Sequence, residues 1–97
     1  MGLTFHRLIK VDLRRVLSHY EEEVGPELSK RFYQEFEAMA LQIERNPRRF
    51  HLVSDVMRRA NFQSFPYHLL FRETAGGVRI LVLRHHRRSP DHGTHRR

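Results

Sequence analysis

The sequence contains no cysteine, and only two of its 18 basic residues are lysines, Lys10 and Lys30. The absence of cysteine excludes disulfides, thiolate nucleophiles and every zinc site that depends on cysteine ligands. No stretch approaches the roughly 18 consecutive apolar residues that a membrane span requires, and the N-terminus lacks the apolar run of a secretory signal. We therefore expect a cytoplasmic protein that does not associate with a membrane.

The length and composition predict one globular domain. The chain has 97 residues, of which 39% are hydrophobic and 30% are charged. This is enough for a single hydrophobic core but too little for a second domain or a deep cofactor cleft. We predict a single domain over residues 1–97 that uses no cofactor, with residues 90–97 forming a flexible basic tail.

The net charge of +7 is unevenly distributed along the chain. Ten of the eleven acidic residues lie at or before Glu73, whereas the stretch from Arg79 to Arg97 has six arginines and four histidines against Asp91 alone. Concentrated positive charge attracts nucleic acid, or an acidic protein that resembles it, and raises association rates. Genome bias toward arginine is the alternative explanation of this composition.

The spacing of apolar residues predicts a first helix that begins at Asp12. The apolar residues of this helix follow one another at spacings of three, one, three and four and so lie on one face: Leu13, Val16, Leu17, Tyr20 and Val24. Gly25 and Pro26 end the helix, because glycine accepts the left-handed cap conformation and proline favours the start of the next element.

A second helix is predicted from about Glu27 to Arg45, where Asn46 and Pro47 stop it. Its inner face consists of Leu28, Phe32, Phe36, Met39, Ala40 and Ile43. Because the break between the two helices is short, we expect an antiparallel helical hairpin. Leu17 and Tyr20 of the first helix should then face Phe32 and Phe36 of the second.

Alternating side chains predict four strands, at residues 3–9, 56–62, 65–72 and 78–85. A hairpin turn is predicted at residues 74–77. The last strand is apolar on both faces, which is typical of a central strand. The predicted fold class is α+β with the order β-α-α-β-β-β: an antiparallel sheet with the helical hairpin packed on one face.

This order of elements, together with several local motifs, resembles the RelE/ParE superfamily of toxins. The segment Phe65-Pro66-Tyr67-His68-Leu69-Leu70-Phe71 looks like the family's third strand, and His86-Arg87-Arg88-Ser89-Pro90 looks like the segment that closes the fourth strand of ParE-like, plasmid-stabilisation members. Arg58-Arg59 resembles a basic pair on the second strand, and Val11-Asp12-Leu13 resembles the start of the first helix. The tail departs from the family, because His92-Gly93 stands where an aromatic residue often follows the proline.

The resemblance implies a toxin of a type II toxin–antitoxin system that is neutralised by a cognate antitoxin protein. ParE-like members inhibit DNA gyrase and need no catalytic residues, whereas RelE-like members are ribosome-dependent mRNA endoribonucleases. Because the residues of the two strand motifs resemble those of ParE-like members, they favour a gyrase inhibitor. A non-toxic basic relative that binds nucleic acid is a third hypothesis.

If the chain is a nuclease, arginine and histidine can supply the phosphate clamp and the general acid or base. The candidate catalytic residues are Arg59, His68, Arg84, His85, His86 and Arg87. The candidate binding residues are Arg58, Arg59, Tyr67, Arg87 and Arg88. His68 stands where RelE-like enzymes usually have arginine, and the second strand lacks their lysines. Because a guanidinium is a poor general base, the histidines would have to act in that role.

Specific metal binding is not expected from the histidines near the C-terminal end. His85 and His86 are adjacent on a predicted strand and should point to opposite faces, while His92 and His95 fall in the predicted tail.

Overall fold

The computed structural model describes residues 2–97 and has the predicted element order β-α-α-β-β-β. The elements are β1 (Gly2–Phe5), α1 (Ile9–Glu23), α2 (Pro26–Arg45), a 3₁₀ turn (Pro47–Arg49), β2 (Met57–Asn61), β3 (Tyr67–Thr74) and β4 (Gly77–His85). Within residues 2–97, none of the helices combines the length and the apolar character that crossing a membrane would need. The predicted α+β fold class is confirmed.

The four strands form one sheet in the order β1-β4-β3-β2. β3 pairs antiparallel with β2 and with β4, as predicted. β1 differs from the prediction because it pairs parallel with β4, with Gly2 opposite Gly77 and Phe5 opposite Ile80. The sheet is therefore mixed. The helical hairpin carries the chain from β1 to the far edge of the sheet, and the two reversals after β2 leave β4 running in the direction of β1.

The helical hairpin covers one face of the sheet, as its apolar stripes predict. Tyr20 of α1 lies against Phe32 of α2, with ring centroids 5.8 Å apart. The side chains with no exposed area are Phe32, Ile43, Ala60, Leu69, Phe71, Ile80 and Val82. Burial of these apolar groups is the main stabilising contribution to the fold.

β4 is a central strand, as its apolar residues on both faces predict. Leu69 lies opposite Leu83 and Phe71 lies opposite Ile80, but the register shifts between these two pairs. The extra residue, Leu81, joins Val82 in a second apolar cluster with Leu70 that is separate from the main core. This β-bulge gives the outer face of the sheet, which points away from the helices, an apolar patch of its own.

β1 is shorter than β4, so the last part of β4 has no strand beside it on that edge. Asp12 of α1 replaces the missing strand: its Oδ2 atom accepts a hydrogen bond from the Leu83 backbone N–H at 3.1 Å. Arg96 donates to both carboxylate oxygens of Asp12, at 2.6 and 3.2 Å, and to the Leu81 carbonyl oxygen at 3.0 Å. The backbone groups that β1 leaves unpaired at this edge of β4 are thereby satisfied by side chains.

The same contacts dock the C-terminal segment, where the sequence suggests a frayed tail after Pro90. Arg84 donates to the carbonyl oxygens of Pro90 and His92, at 2.9 and 2.8 Å. Gly93 lies so close to the outer face that an added Cβ atom would stand 2.5 Å from a methyl group of Val82. The docking depends on partners far away in the chain, which the composition of the segment itself does not indicate.

We expect Asp12→Ala to destabilise the protein by about 3 kcal/mol, because it leaves the Arg96 guanidinium and the Leu83 N–H without their buried acceptor. Asp12→Asn, which keeps an acceptor but loses the charge, should have a smaller effect. The free energy of unfolding from urea denaturation measures this. Asp55→Ala removes an exposed acid and should stay within about 0.5 kcal/mol of the wild type; equal losses for Asp12→Ala and Asp55→Ala would contradict the assigned role.

Candidate functional site

The outer face of the sheet carries five polar side chains that touch one another: Arg59, Asn61, His68, Arg84 and His86. We call them the histidine–arginine cluster. Arg59 and Asn61 are two residues apart on β2 and share a face. Asn61 lies opposite His68 on β3, and His68 lies opposite Arg84 on β4. The sheet register therefore brings these side chains together from three strands.

Hydrogen bonds connect the cluster from one end to the other. Arg59 donates from Nε to Asn61 Oδ1 at 2.8 Å, and its Nη2 lies 3.3 Å from His86 Nδ1. The Nδ1 atoms of His86 and His68 are 2.9 Å apart. Arg84 Nε donates to His68 Nε2 at 2.9 Å. The two imidazoles are thus held in a row between two guanidinium groups.

The arginines determine which ring nitrogen carries the proton in each neutral histidine. A guanidinium has only donors, so His68 Nε2 must accept from Arg84, and the proton of neutral His68 then sits on Nδ1. That proton points at His86 Nδ1, which accepts from both His68 and Arg59. Neutral His86 consequently carries its own proton on Nε2.

The electrostatic surroundings keep both imidazoles neutral. Burial, followed by the charges of Arg59 and Arg84, lowers the pKa of His68 to about 3. Partial burial and the Arg59 charge also lower the pKa of His86. His68 is 1% exposed, whereas His86 reaches solvent. The arrangement therefore presents N–H donors to solvent from Arg59 and His86, which suits the binding of an anion.

Two further candidates, His85 and Tyr67, lie on the face that the helices cover. The His85 ring packs edge-on against Tyr67, with centroids 5.0 Å apart. Tyr67 is 8% exposed and contacts Phe32 in the core. Burial raises the pKa of the Tyr67 hydroxyl. Within residues 2–97, neither side chain hydrogen-bonds to the histidine–arginine cluster, although the ring centroids of His85 and His86 are 6.4 Å apart.

Arg58 points to the helix side of β2 and ties down the segment that precedes the strand. Its Nη1 atom donates to the Phe50 carbonyl oxygen at 2.6 Å, and its Nε lies 3.7 Å from the Glu73 carboxylate. Arg87 and Arg88 are exposed just beyond β4. Of the candidates, the structure brings together Arg59, His68, Arg84 and His86. Asn61 is not among the candidates predicted from the sequence, although its spacing of two from Arg59 on a strand was the available signal.

An apolar groove of 660 Å³ lies on the other side of the molecule, between β1, the start of α1 and α2. Its apolar lining residues are Leu3, Phe5, Ile9, Leu13, Tyr33, Phe36, Ala40 and Leu41. Phe5, Tyr33 and Leu41 are 41%, 42% and 51% exposed. Its charged or titratable lining residues are His6, Arg7, Lys10 and Glu37. The groove combines exposed apolar surface with a mainly basic rim, beside the free edge of β1.

We expect His68 to stay neutral from pH 8 to about pH 4, because its pKa is about 3 in the folded protein against 6.5 unperturbed. The unfolded chain binds this proton at higher pH, so the stability that neutral His68 contributes is fully present above pH 6.5 and is lost as the pH falls toward 3. His68→Gln should therefore make stability less dependent on pH between 6.5 and 4. The NMR resonances of the imidazole measure the titration of His68, and urea unfolding at several pH values measures the pH dependence of stability. A His68 titration midpoint near 6.5 would contradict the assignment.

No protein-family model and no curated protein matches the sequence. The fold matches a chain in a solved structure described as "Chromosomal ParDE TA system from P. aeruginosa", with a TM-score of 0.78 and 19% sequence identity over 88% of this chain and 95% of that chain. The fold that the resemblance to RelE/ParE toxins implies is therefore confirmed: this chain has the fold of a protein from a ParDE toxin–antitoxin system.

Proposed function

We propose that this chain is the toxin of a type II toxin–antitoxin system and is held inactive by a cognate antitoxin. The observation that carries the proposal is the fold shared with the ParDE chain, at a TM-score of 0.78 over most of both chains. The strand motifs at Phe65-Pro66-Tyr67 and at His86-x-Arg88-x-Pro90 support the same conclusion independently of the fold.

The apolar groove is the proposed docking site for the antitoxin. A partner segment that fits it has apolar side chains to cover Phe5, Tyr33 and Leu41, and acidic side chains to face Arg7 and Lys10. The free edge of β1 also offers backbone groups for pairing with an added strand. Apolar burial supplies the binding energy, and the opposite charges raise the association rate.

We propose that the toxin acts as a ParE-like, non-catalytic inhibitor of DNA gyrase and replication. The hydrogen bonding of the histidine–arginine cluster supports this. Neutral His86 has its Nδ1 lone pair directed at Arg59 and His68 and its proton on Nε2, so it offers no free lone pair to a substrate hydroxyl. Its lowered pKa also disfavours the imidazolium form that a general acid needs near pH 7.

A RelE-like, ribosome-dependent mRNA endoribonuclease is the second candidate. The observation in its favour is that Arg59 Nη2 and His86 Nδ1 lie 3.3 Å apart on the outer face of the sheet. A phosphate that engaged Arg59 would remove one of the two donors to His86 Nδ1, and His86 would be the group available to act on the 2′-hydroxyl once the His68 N–H also turned away from it.

We expect induction of the protein in a bacterial host to produce DNA breaks within minutes, without new 5′ ends in ribosome-bound mRNA. Arg59→Ala and His86→Ala should leave the DNA breaks in place, because a gyrase inhibitor does not depend on those two groups. Sequencing of 5′ ends and a DNA-break assay on the same cultures measure both.

The opposite pattern identifies the nuclease: cuts within codons, intact DNA, and loss of cleavage in both variants. Arg14→Ala, an exposed arginine on α1, is the control for a general loss of positive charge. Absence of growth inhibition, DNA breaks and mRNA cuts would contradict a toxin and leave the non-toxic nucleic-acid-binding relative.

We expect Leu41→Glu to weaken binding of the antitoxin at least about tenfold while growth inhibition persists, because the change places a carboxylate in the apolar groove. Co-expression with the product of the adjacent gene, followed by co-purification and growth measurement, tests this. Val24→Glu changes another exposed apolar residue, 68% exposed and outside the groove, and is the matched control. Equal neutralisation of both variants would contradict this docking site.

A further inference from the structure

A second cavity, of 420 Å³, lies between α1, the end of β4 and the segment that follows it. It exists because β1 ends at Phe5, so no strand covers the last residues of β4 on this side. The cavity is on the helix side of β4, where Tyr67 and His85 form part of its wall. It is separate from the apolar groove, and it shares only Arg84 with the histidine–arginine cluster.

The polar lining of this cavity is almost entirely basic. Its basic residues are Arg15, His19, Arg84, His85, Arg88 and His92. The acid among its lining residues is Asp12, which is already paired with Arg96 and with the Leu83 N–H. Arg84 is also occupied, because its guanidinium donates to His68 and to carbonyl groups of the C-terminal segment.

Arg15 and Arg88 have no such partners. Among residues 2–97, no hydrogen bond or ion pair engages either guanidinium, and both residues are exposed at the rim of the cavity. They come from opposite walls, α1 and the turn after β4. The cavity is therefore lined by two unpaired guanidinium groups, with three histidines beside them. Their positive charge is not neutralised by the described part of the protein.

The titration of His92 agrees with this excess of positive charge. Burial and then the charges of Arg88 and Arg96 lower the pKa of its imidazole. The charge of Asp12 opposes this shift, as a smaller effect.

We propose that this cavity binds a phosphate monoester, with Arg15 and Arg88 as the two guanidinium ligands. A terminal phosphate carries close to two negative charges near neutral pH and matches two arginines in charge. Its three terminal oxygens can accept the forked donors of both guanidinium groups and leave sites for His19, His85 or His92. A carboxylate has one charge and two oxygens and would use this donor set less completely.

The phosphate can come from a mononucleotide or from the 5′ end of a nucleic acid, and the inference does not depend on the proposed toxin function. We would titrate the purified protein with inorganic phosphate, adenosine 5′-monophosphate, adenosine, and a short oligonucleotide with and without a 5′-phosphate. Isothermal titration calorimetry gives the affinities, and histidine C2–H NMR resonances report the location. Binding of the phosphorylated compounds, with no binding of adenosine, is the expected result.

The two sources give different results. A 5′-phosphorylated oligonucleotide that binds more tightly than both the mononucleotide and the 5′-hydroxyl oligonucleotide identifies a nucleic-acid end. Equal affinity for adenosine 5′-monophosphate and the phosphorylated oligonucleotide identifies a small ligand.

Matched variants test the assigned ligands. Arg15→Ala and Arg88→Ala should each weaken phosphate binding about tenfold or more, because each removes a charge-assisted contact. Arg14→Ala, next to Arg15 on α1 but outside the cavity lining, and Arg45→Ala at the end of α2 should change it less than about twofold. Because all four side chains are exposed, folding should be unaffected, and circular dichroism checks this.

Bound phosphate should also raise the pKa of His92, since a nearby negative charge favours imidazolium. Three results would overturn the proposal: no phosphate-dependent binding, equal weakening by all four arginine variants, or shifts at His68 and His86 in place of His19, His85 and His92. The second result would show diffuse attraction to a basic surface, and the third would place the anion on the outer face.

Discussion

β4 has a strand partner along only part of one edge, and two distant side chains complete that edge. Beyond the end of β1, the Leu83 N–H and the Leu81 carbonyl would lie unpaired under a helix, which is costly for buried backbone groups. Asp12 accepts a hydrogen bond from the Leu83 N–H. Arg96 donates to the Leu81 carbonyl oxygen and to the Asp12 carboxylate. This ion pair therefore acts as a piece of secondary structure, and it joins α1, the sheet and the C-terminal segment.

The ion pair of Asp12 and Arg96 also affects the surroundings of β4 on both faces of the sheet. Arg96 holds the C-terminal segment where its carbonyl groups can accept from Arg84, and Arg84 in turn donates to His68. Arg84 thus links the hydrogen bonding of His68 to the C-terminal segment. On the helix side, the gap left by β1 becomes a basic cavity, because Asp12 is already neutralised and Arg15 and Arg88 are not.

The apolar groove and the basic cavity lie at different places on this molecule. The groove beside β1 exposes apolar side chains within a mainly basic rim, whereas the cavity at the end of β4 is lined mostly by polar and basic side chains. The histidine–arginine cluster lies on the outer face of the sheet, where Arg59 and His86 present N–H donors to solvent.

The sequence by itself determined the elements and their order, because these depend on local signals. The repeat of Leu13, Val16, Leu17 and Tyr20 specifies a helical stripe, Gly25-Pro26 ends a helix, and alternation around Leu69 specifies a strand. It also identified most of the candidate polar residues, since arginine and histidine on adjacent strands stand out by type. The motifs at Phe65-Pro66-Tyr67 and His86-x-Arg88-x-Pro90 indicated the fold.

Only the tertiary structure decided which of these residues meet. The parallel pairing of β1 with β4 and the shift of register at Leu81 depend on contacts between residues far apart in the chain. The contact between Asp12 and Arg96 spans 84 residues. No local pattern encodes such a pair, because each partner satisfies the rules of its own segment equally well whether it is exposed or buried; burial of the β4 edge is what makes the pair necessary.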